Sequence, residues 1–203
     1  MQPTIAPNRV QRLPTWALPA GIAALCVLVA IVDGGSALRY ERALVGAEPW
    51  RLVTAHQVHL GWMHLALNLA GLAAVWALLG PQLRPGTWLA VFLTCALGVS
   101  GGLRVLDPDL EWYVGLSGVL HGMFVAGALA GLRRARLFHG LLLAGVVVKV
   151  AWEQYAGVDV GSAELVGGAV VVNAHLYGVL AGFACLPLGF LWRRARPAAA
   201  SRV

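Results

Sequence analysis

Charge is what this sequence has least of. Asp, Glu, Lys and Arg make up 12% of its 203 residues, against about a quarter in an ordinary soluble domain. Acids are the scarcer kind, nine against fifteen basic residues. A chain this poor in charge makes the membrane the first hypothesis. Cysteine is also scarce: Cys26, Cys95 and Cys185 each lie inside an apolar run. An odd number without ligand spacing excludes a disulfide framework and a cysteine metal centre, so the three read as small core residues. The long apolar runs do not alternate, which argues against membrane strands. No HExxH metal motif occurs.

What the chain has in abundance is hydrophobic length, with 59% apolar residues and a mean hydropathy of +0.74. A bilayer core of roughly 30 Å needs about 20 helical residues. Six segments meet that requirement, at 14–32, 56–80, 86–105, 113–132, 137–156 and 165–192. Backbone groups in lipid must pair internally, so the expected fold is all-α, a bundle of six transmembrane helices. Residues 1–13 then form a cytoplasmic N-terminal segment, 14–192 the membrane domain and 193–203 a basic cytoplasmic tail. Arg9 and Arg12 before the first segment, and Gly35-Ser36-Ala37 after it, resemble a signal peptide, but the apolar run is longer than a typical one and reads as helix one.

The arginines orient the bundle. With the N-terminus inside, Arg9, Arg12, Arg84, Arg133, Arg134, Arg136, Arg193, Arg194, Arg196 and Arg202 all fall in cytoplasmic segments, and no acid does. The positive-inside rule therefore gives N-in and C-in. The net charge of +6 follows from this asymmetry and from attraction to anionic lipid, without a nucleic-acid partner.

Ionisable residues inside spanning segments are costly and usually face a bundle interior or a wet cavity. Here they are His56, His59, His64, His121, His175, Lys149 and Glu153, with Ser117 and Asn68 as polar neighbours. His139 follows a basic turn and reads as interfacial. At about 1.5 Å per residue, His64, Ser117 and His175 all fall in the outer half of the bilayer or near its midplane, able to share one pocket open to the outside. His64 and Asn68 are four apart and share a helix face, as do Ser117 and His121. Gly118/Gly122 and Gly178/Gly182 are small-xxx-small pairs that let helices approach closely, which would bring Ser117 near His175.

A serine hydroxyl needs an adjacent base to act as a nucleophile, and imidazole can supply it and return the proton to a leaving amine. Asn68, His64 and the Ser117 backbone N–H are candidate oxyanion donors. No carboxylate presents itself as a third member, with Glu153 on helix five and Asp159 in a loop, so a Ser-His dyad is the expected arrangement. Lys149 and Glu153, four apart, read as a local ion pair or a snorkelling lysine.

Three stretches carry a family resemblance: WRLVTAHQVHLGWMHLALNLAGL at 50–72, GLSG at 115–118 and AHLYGVLAG at 174–182. Together they resemble the signature regions of rhomboid intramembrane serine proteases. The resemblance implies a six-helix, N-in/C-in fold, with Ser117 of the G-x-S-G motif (with Gly115 and Gly118) as nucleophile and His175 as base. It also implies site roles for His64 and Asn68, and close packing through Gly122, Gly178 and Gly182. GAEPWRLVTAHQVHLGW and GLSGVLHG look most like the bacterial rhombosortases. That likeness implies single-span substrates whose C-terminal signal has a Gly-Gly motif, a helix and a basic tail. It implies a multi-pass place in the bacterial inner membrane, with the site opening to the periplasm, and no cofactor. Where the family commonly stacks an aromatic ring on the base, this chain has His121, expected to orient His175, with a competing base or a packed core histidine as the alternatives. Trp50 and Arg51 read as interfacial anchors or as braces of the first loop, and 157–163 as a flexible cap.

Three other readings stand beside this one. A general rhomboid protease would be indifferent to Gly-Gly. A metal- or haem-binding protein could use His56, His59 and His64, although on one continuous helix His59 and His64 would point about 140° apart. A silent relative would bind helices without cutting them.

Overall fold

The computed structural model describes residues 14–32, 35–157 and 168–186. Among these there are eight α-helical segments: α1 Ala17–Ile31, α2 Gly35–Leu38, α3 Arg51–Thr54, α4 Trp62–Leu79, α5 Pro85–Leu106, α6 Ser117–Gly131, α7 Arg136–Ala156 and α8 Val172–Ala184. Two short strands, β1 Tyr40–Glu41 and β2 Trp112–Tyr113, pair antiparallel with Tyr40 opposite Tyr113. Three helical stretches, Trp62–Gln82, Pro85–Leu106 and Arg136–Ala156, are long and apolar enough to cross a membrane; α1 and α6 are apolar but shorter.

Local sequence explains the boundaries. Pro85 begins α5, where its missing N–H costs nothing. The second helix begins at Trp62, six residues later than the sequence suggests, because Ala55–Gln57 forms a separate 3₁₀ turn and Val58 is extended. The fourth begins at Ser117 rather than near 113, because β2 and Gly115, with φ +121°, occupy the residues before it. A positive φ of this kind favours glycine. Gly157 ends α7 in the left-handed conformation. Residues 158–163 of the expected cap, the N-terminal segment and the basic tail lie outside the described residues.

The main core joins α1, α4, α5 and α6 around Leu72, Leu79, Trp88, Cys95 and Met123. The three cysteines are free and buried. The closest helix contact is between α6 and α8. A Cβ on Gly178 would overlap the backbone of Gly118, and one on Gly182 would overlap Gly122. Glycine at these positions is thus required by backbone proximity. On the other side of α8, Gly98 faces Ala181 and Gly102 faces the ring of Tyr177.

The first loop is braced from within. Arg51 is buried and its guanidinium donates to the carbonyls of Ser36 (2.9 Å) and Arg39 (2.8 Å) while pairing with Glu48. Trp50 is exposed. Arg42 reaches the last carbonyls of α5 and the turn beyond it, donating to Leu103, Arg104, Asp107 and Leu110. It satisfies acceptors that the helix end leaves open. His139, which follows the basic turn, is buried against Gly131, because that glycine leaves room for its ring.

Candidate active site

Ser117 is the first residue of α6. The first N–H groups of a helix have no partner within it, and the macrodipole places partial positive charge there. The hydroxyl and a set of outward-facing donors are therefore presented together. The approach to Ser117 is fixed by Gly115. Its N–H donates to Ala55 O at 3.2 Å. Its carbonyl accepts from the Tyr113 hydroxyl at 2.9 Å and faces His56 Nδ1 at 3.2 Å. His56 is fully buried, with Nε2 3.0 Å from Ala96 O and 3.2 Å from Ser100 Oγ. It belongs to this support and not to a cluster with His64. The supporting roles of His56 and Tyr113 were not legible from the sequence, which offered His56 only as a polar residue of a span or a candidate metal ligand; proximity to G-x-S-G was the only signal for Tyr113.

His175 comes from the second turn of α8 and is 3% exposed. Its Nε2 lies 3.0 Å from Ser117 Oγ. Its Nδ1 lies 2.9 Å from Glu153 Oε2, on α7. The other Glu153 oxygen pairs with Lys149. The expected local pair of Lys149 and Glu153 thus forms, but the expectation that no carboxylate reaches the histidine is corrected. The rotation of α7, fastened against α6 and α8 by Val125, Val150 and Val179, aims Glu153 inward.

The ring of His121 stacks on that of His175, with centroids 4.2 Å apart and planes 22° from parallel, and its Nδ1 bonds Ser117 O at 2.8 Å. His121, Glu153 and His175 place possible ligand atoms within 4.8 Å of one another. Stacked imidazoles, however, carry their in-plane lone pairs side by side and do not converge on one ion. Both His175 nitrogens are already engaged.

His64 and Asn68 are buried on α4. The Leu60 N–H points at His64 Nδ1 at 3.3 Å. An imidazole that accepts at Nδ1 carries its proton on Nε2, and that edge faces Gly115, whose absent side chain would come within 3.0 Å of it. Asn68 Nδ2 donates one hydrogen to His64 O at 3.0 Å, leaving a second. His59 lies in the loop before α4, with its ring edge-on to His64 at 5.0 Å. The two histidines do not share a continuous helix, so the 140° separation expected of them does not apply.

Two cavities meet at Ser117 and His64. One, of about 370 Å³, runs toward Asp109, Trp112, Tyr113 and Val171. The other, of about 580 Å³, is largely apolar and lies between α4, α6 and α7, bordered by Leu67, Gly71, Phe124, Leu142 and Val146, with Asn68, His121, Lys149 and His175 also lining it. The structure therefore brings together Ser117, His175, His64, Asn68 and His121, with Gly115, Gly118, Gly122, Gly178 and Gly182 setting the backbone around them. A family model described as Rhomboid domain matches residues 46–192. No curated protein matches the chain.

Proposed function

Because the chain belongs to the rhomboid family, we propose that it is an intramembrane serine protease in which Ser117 is the nucleophile and His175 its general base. The observation that carries this reading is the 3.0 Å separation of Ser117 Oγ and His175 Nε2, on residues 58 apart in the sequence. That is within the reach a nucleophile and its base require.

In the reaction, Ser117 Oγ attacks a substrate carbonyl while its proton passes to His175 Nε2. The oxyanion that develops is met by the Ser117 N–H at the start of α6, the remaining Asn68 amide hydrogen and His64 Nε2–H. His175 then protonates the leaving amine as the C–N bond breaks, and water resolves the acyl-enzyme. His121 holds the His175 ring in plane by stacking. An amide inside a membrane helix is shielded by its own hydrogen bonds, so the substrate must be locally unwound at the cut.

The family assignment supports action on membrane-protein substrates. The apolar cavity between α4, α6 and α7 is suited to a single helix arriving sideways from lipid. We place the catalytic domain in six spans with both termini cytoplasmic and the site opening to the outer, periplasmic side of a bacterial inner membrane, as the arginine distribution supports. The finer reading is rhombosortase-like: cleavage of secreted proteins at a C-terminal signal of Gly-Gly, helix and basic tail. It rests on the first-loop sequence at 46–62 and on GLSGVLHG.

The test is co-expression with a single-span reporter bearing that signal. Release by the wild type, and none by Ser117→Ala or His175→Ala at equal expression, is expected, together with fluorophosphonate labelling that requires Ser117. Release by either variant overturns the assignment. Equal release of reporters with and without Gly-Gly makes the enzyme a general rhomboid protease.

A further inference from the structure

Glu153 is 1% exposed, on a helix whose outward face is apolar and which the sequence reading places in lipid. A carboxylate taken out of water costs several kcal/mol unless it is paired and hydrogen-bonded, and both Glu153 oxygens are engaged. Oε1 meets Lys149, the only lysine in the chain, one turn earlier on α7. Oε2 meets His175 Nδ1 at 2.9 Å. The lysine side chain is 47% exposed, so its ammonium sits at the edge of the site and the carboxylate within it.

We propose that Glu153 is a positioning residue of the proteolytic reaction. It completes a Ser117–His175–Glu153 relay in place of a two-residue dyad, with Lys149 pairing the carboxylate's other oxygen. The inference rests on the reading of Ser117 and His175 given above. The physical reason is tautomer control. Neutral imidazole carries one proton, and a histidine with its proton on Nε2 has no lone pair to offer Ser117. A carboxylate at Nδ1 accepts that proton as a hydrogen bond, fixes it on Nδ1 and leaves the Nε2 lone pair facing Oγ. During attack the Oγ–C bond forms and the Oγ proton moves to Nε2; the Nδ1 proton stays where it is, and Glu153 remains ionised beside the imidazolium. When the C–N bond breaks, the Nε2 proton leaves with the amine. The stack of His121 on the His175 face restrains ring tilt, but it cannot choose between tautomers, since stacking is blind to which edge carries the proton.

The test uses the full chain reconstituted in liposomes with the single-span reporter. Glu153→Gln keeps shape and hydrogen-bonding capacity but removes the charge and permits the wrong tautomer. It should lower kcat by about 10²- to 10⁴-fold with KM little changed. Lys149→Met should lower kcat by about tenfold, since the carboxylate loses the charged partner that holds its Oε1 in place. Nitrogen NMR of ring-labelled wild-type protein supplies a readout independent of any variant's folding: the resting His175 should be protonated at Nδ1, with a strongly deshielded proton. A resting Nε2–H tautomer, or wild-type kcat in a folded Glu153→Gln protein, overturns the relay and leaves the two-residue mechanism standing. Activity in Ser117→Ala instead overturns the reading beneath both.

Discussion

The two helices that flank His175 hold it in opposite ways. Along α6 and α8 the contact is backbone to backbone: Gly118, Gly122, Gly178 and Gly182 leave no side chain between the chains, and an added methyl at any of them meets main-chain atoms of the other helix. Along α7 the contact is made by side chains. Only His139, Val150 and Glu153 of that helix are buried, and Leu137, Leu141, Val148 and Tyr155 are largely exposed. Gly140 and Gly145 of α7 have nothing within 4 Å of where a Cβ would stand. One side therefore fixes the spacing of Ser117 and His175 through main-chain contact. The other reaches the base through a single carboxylate. Rigid placement and adjustable support are separated onto different faces of the same histidine.

That contrast can be broken most severely at the seam. Gly178→Leu should abolish reporter release and lower the thermal unfolding temperature in detergent, because α6 and α8 must separate to admit the side chain; overpacking alone costs about 1–3 kcal/mol or more. An active, fully stable Gly178→Leu protein would refute the backbone contact. Next come the α4 donors, which belong to neither side: His64→Ala and Asn68→Ala should each lower kcat by about 10²-fold or more with little change in KM, measured on the reconstituted enzyme. His121 tests how much of the ring restraint is stacking. His121→Phe should retain activity within a few-fold, whereas His121→Ala should lose about tenfold, on the scale of one aromatic contact. The smallest effect is expected on α7, where Gly140→Ala should leave turnover unchanged and shift stability by no more than about 1 kcal/mol, toward greater stability. A marked loss there would show that α7 is packed as closely as the seam.

The sequence expressed these two sides unequally. The glycine pairs, Ser117 and His175 were legible because spacing in a short window encodes which residues share a helix face, and the third and fifth apolar segments match α5 and α7 to within a residue. Starts that depend on a turn were less legible. Helices α4 and α6 begin after Gly61 and Gly115, and hydropathy does not distinguish a buried turn at the membrane surface from a helix. Glu153 was read as half of a local pair because a Lys four residues before a Glu satisfies both without reference to anything else. Its second partner lies 22 residues away on another helix, and the meeting depends on the rotation of α7 about its own axis, which no local window records. His56 was hidden for a similar reason: its partners, Gly115 on one side and Ala96 and Ser100 on the other, come from different segments.

Helix α7 also forms one wall of the larger cavity, through Leu142 and Val146, on the same rod that carries Glu153 three turns of helix or fewer further along. A rod swung outward to let a guest pass takes its carboxylate with it. Under the proposed relay, opening the door and cocking the hammer are mechanically opposed, and a guest that slips in without letting the wall settle back would meet a hydroxyl not yet armed.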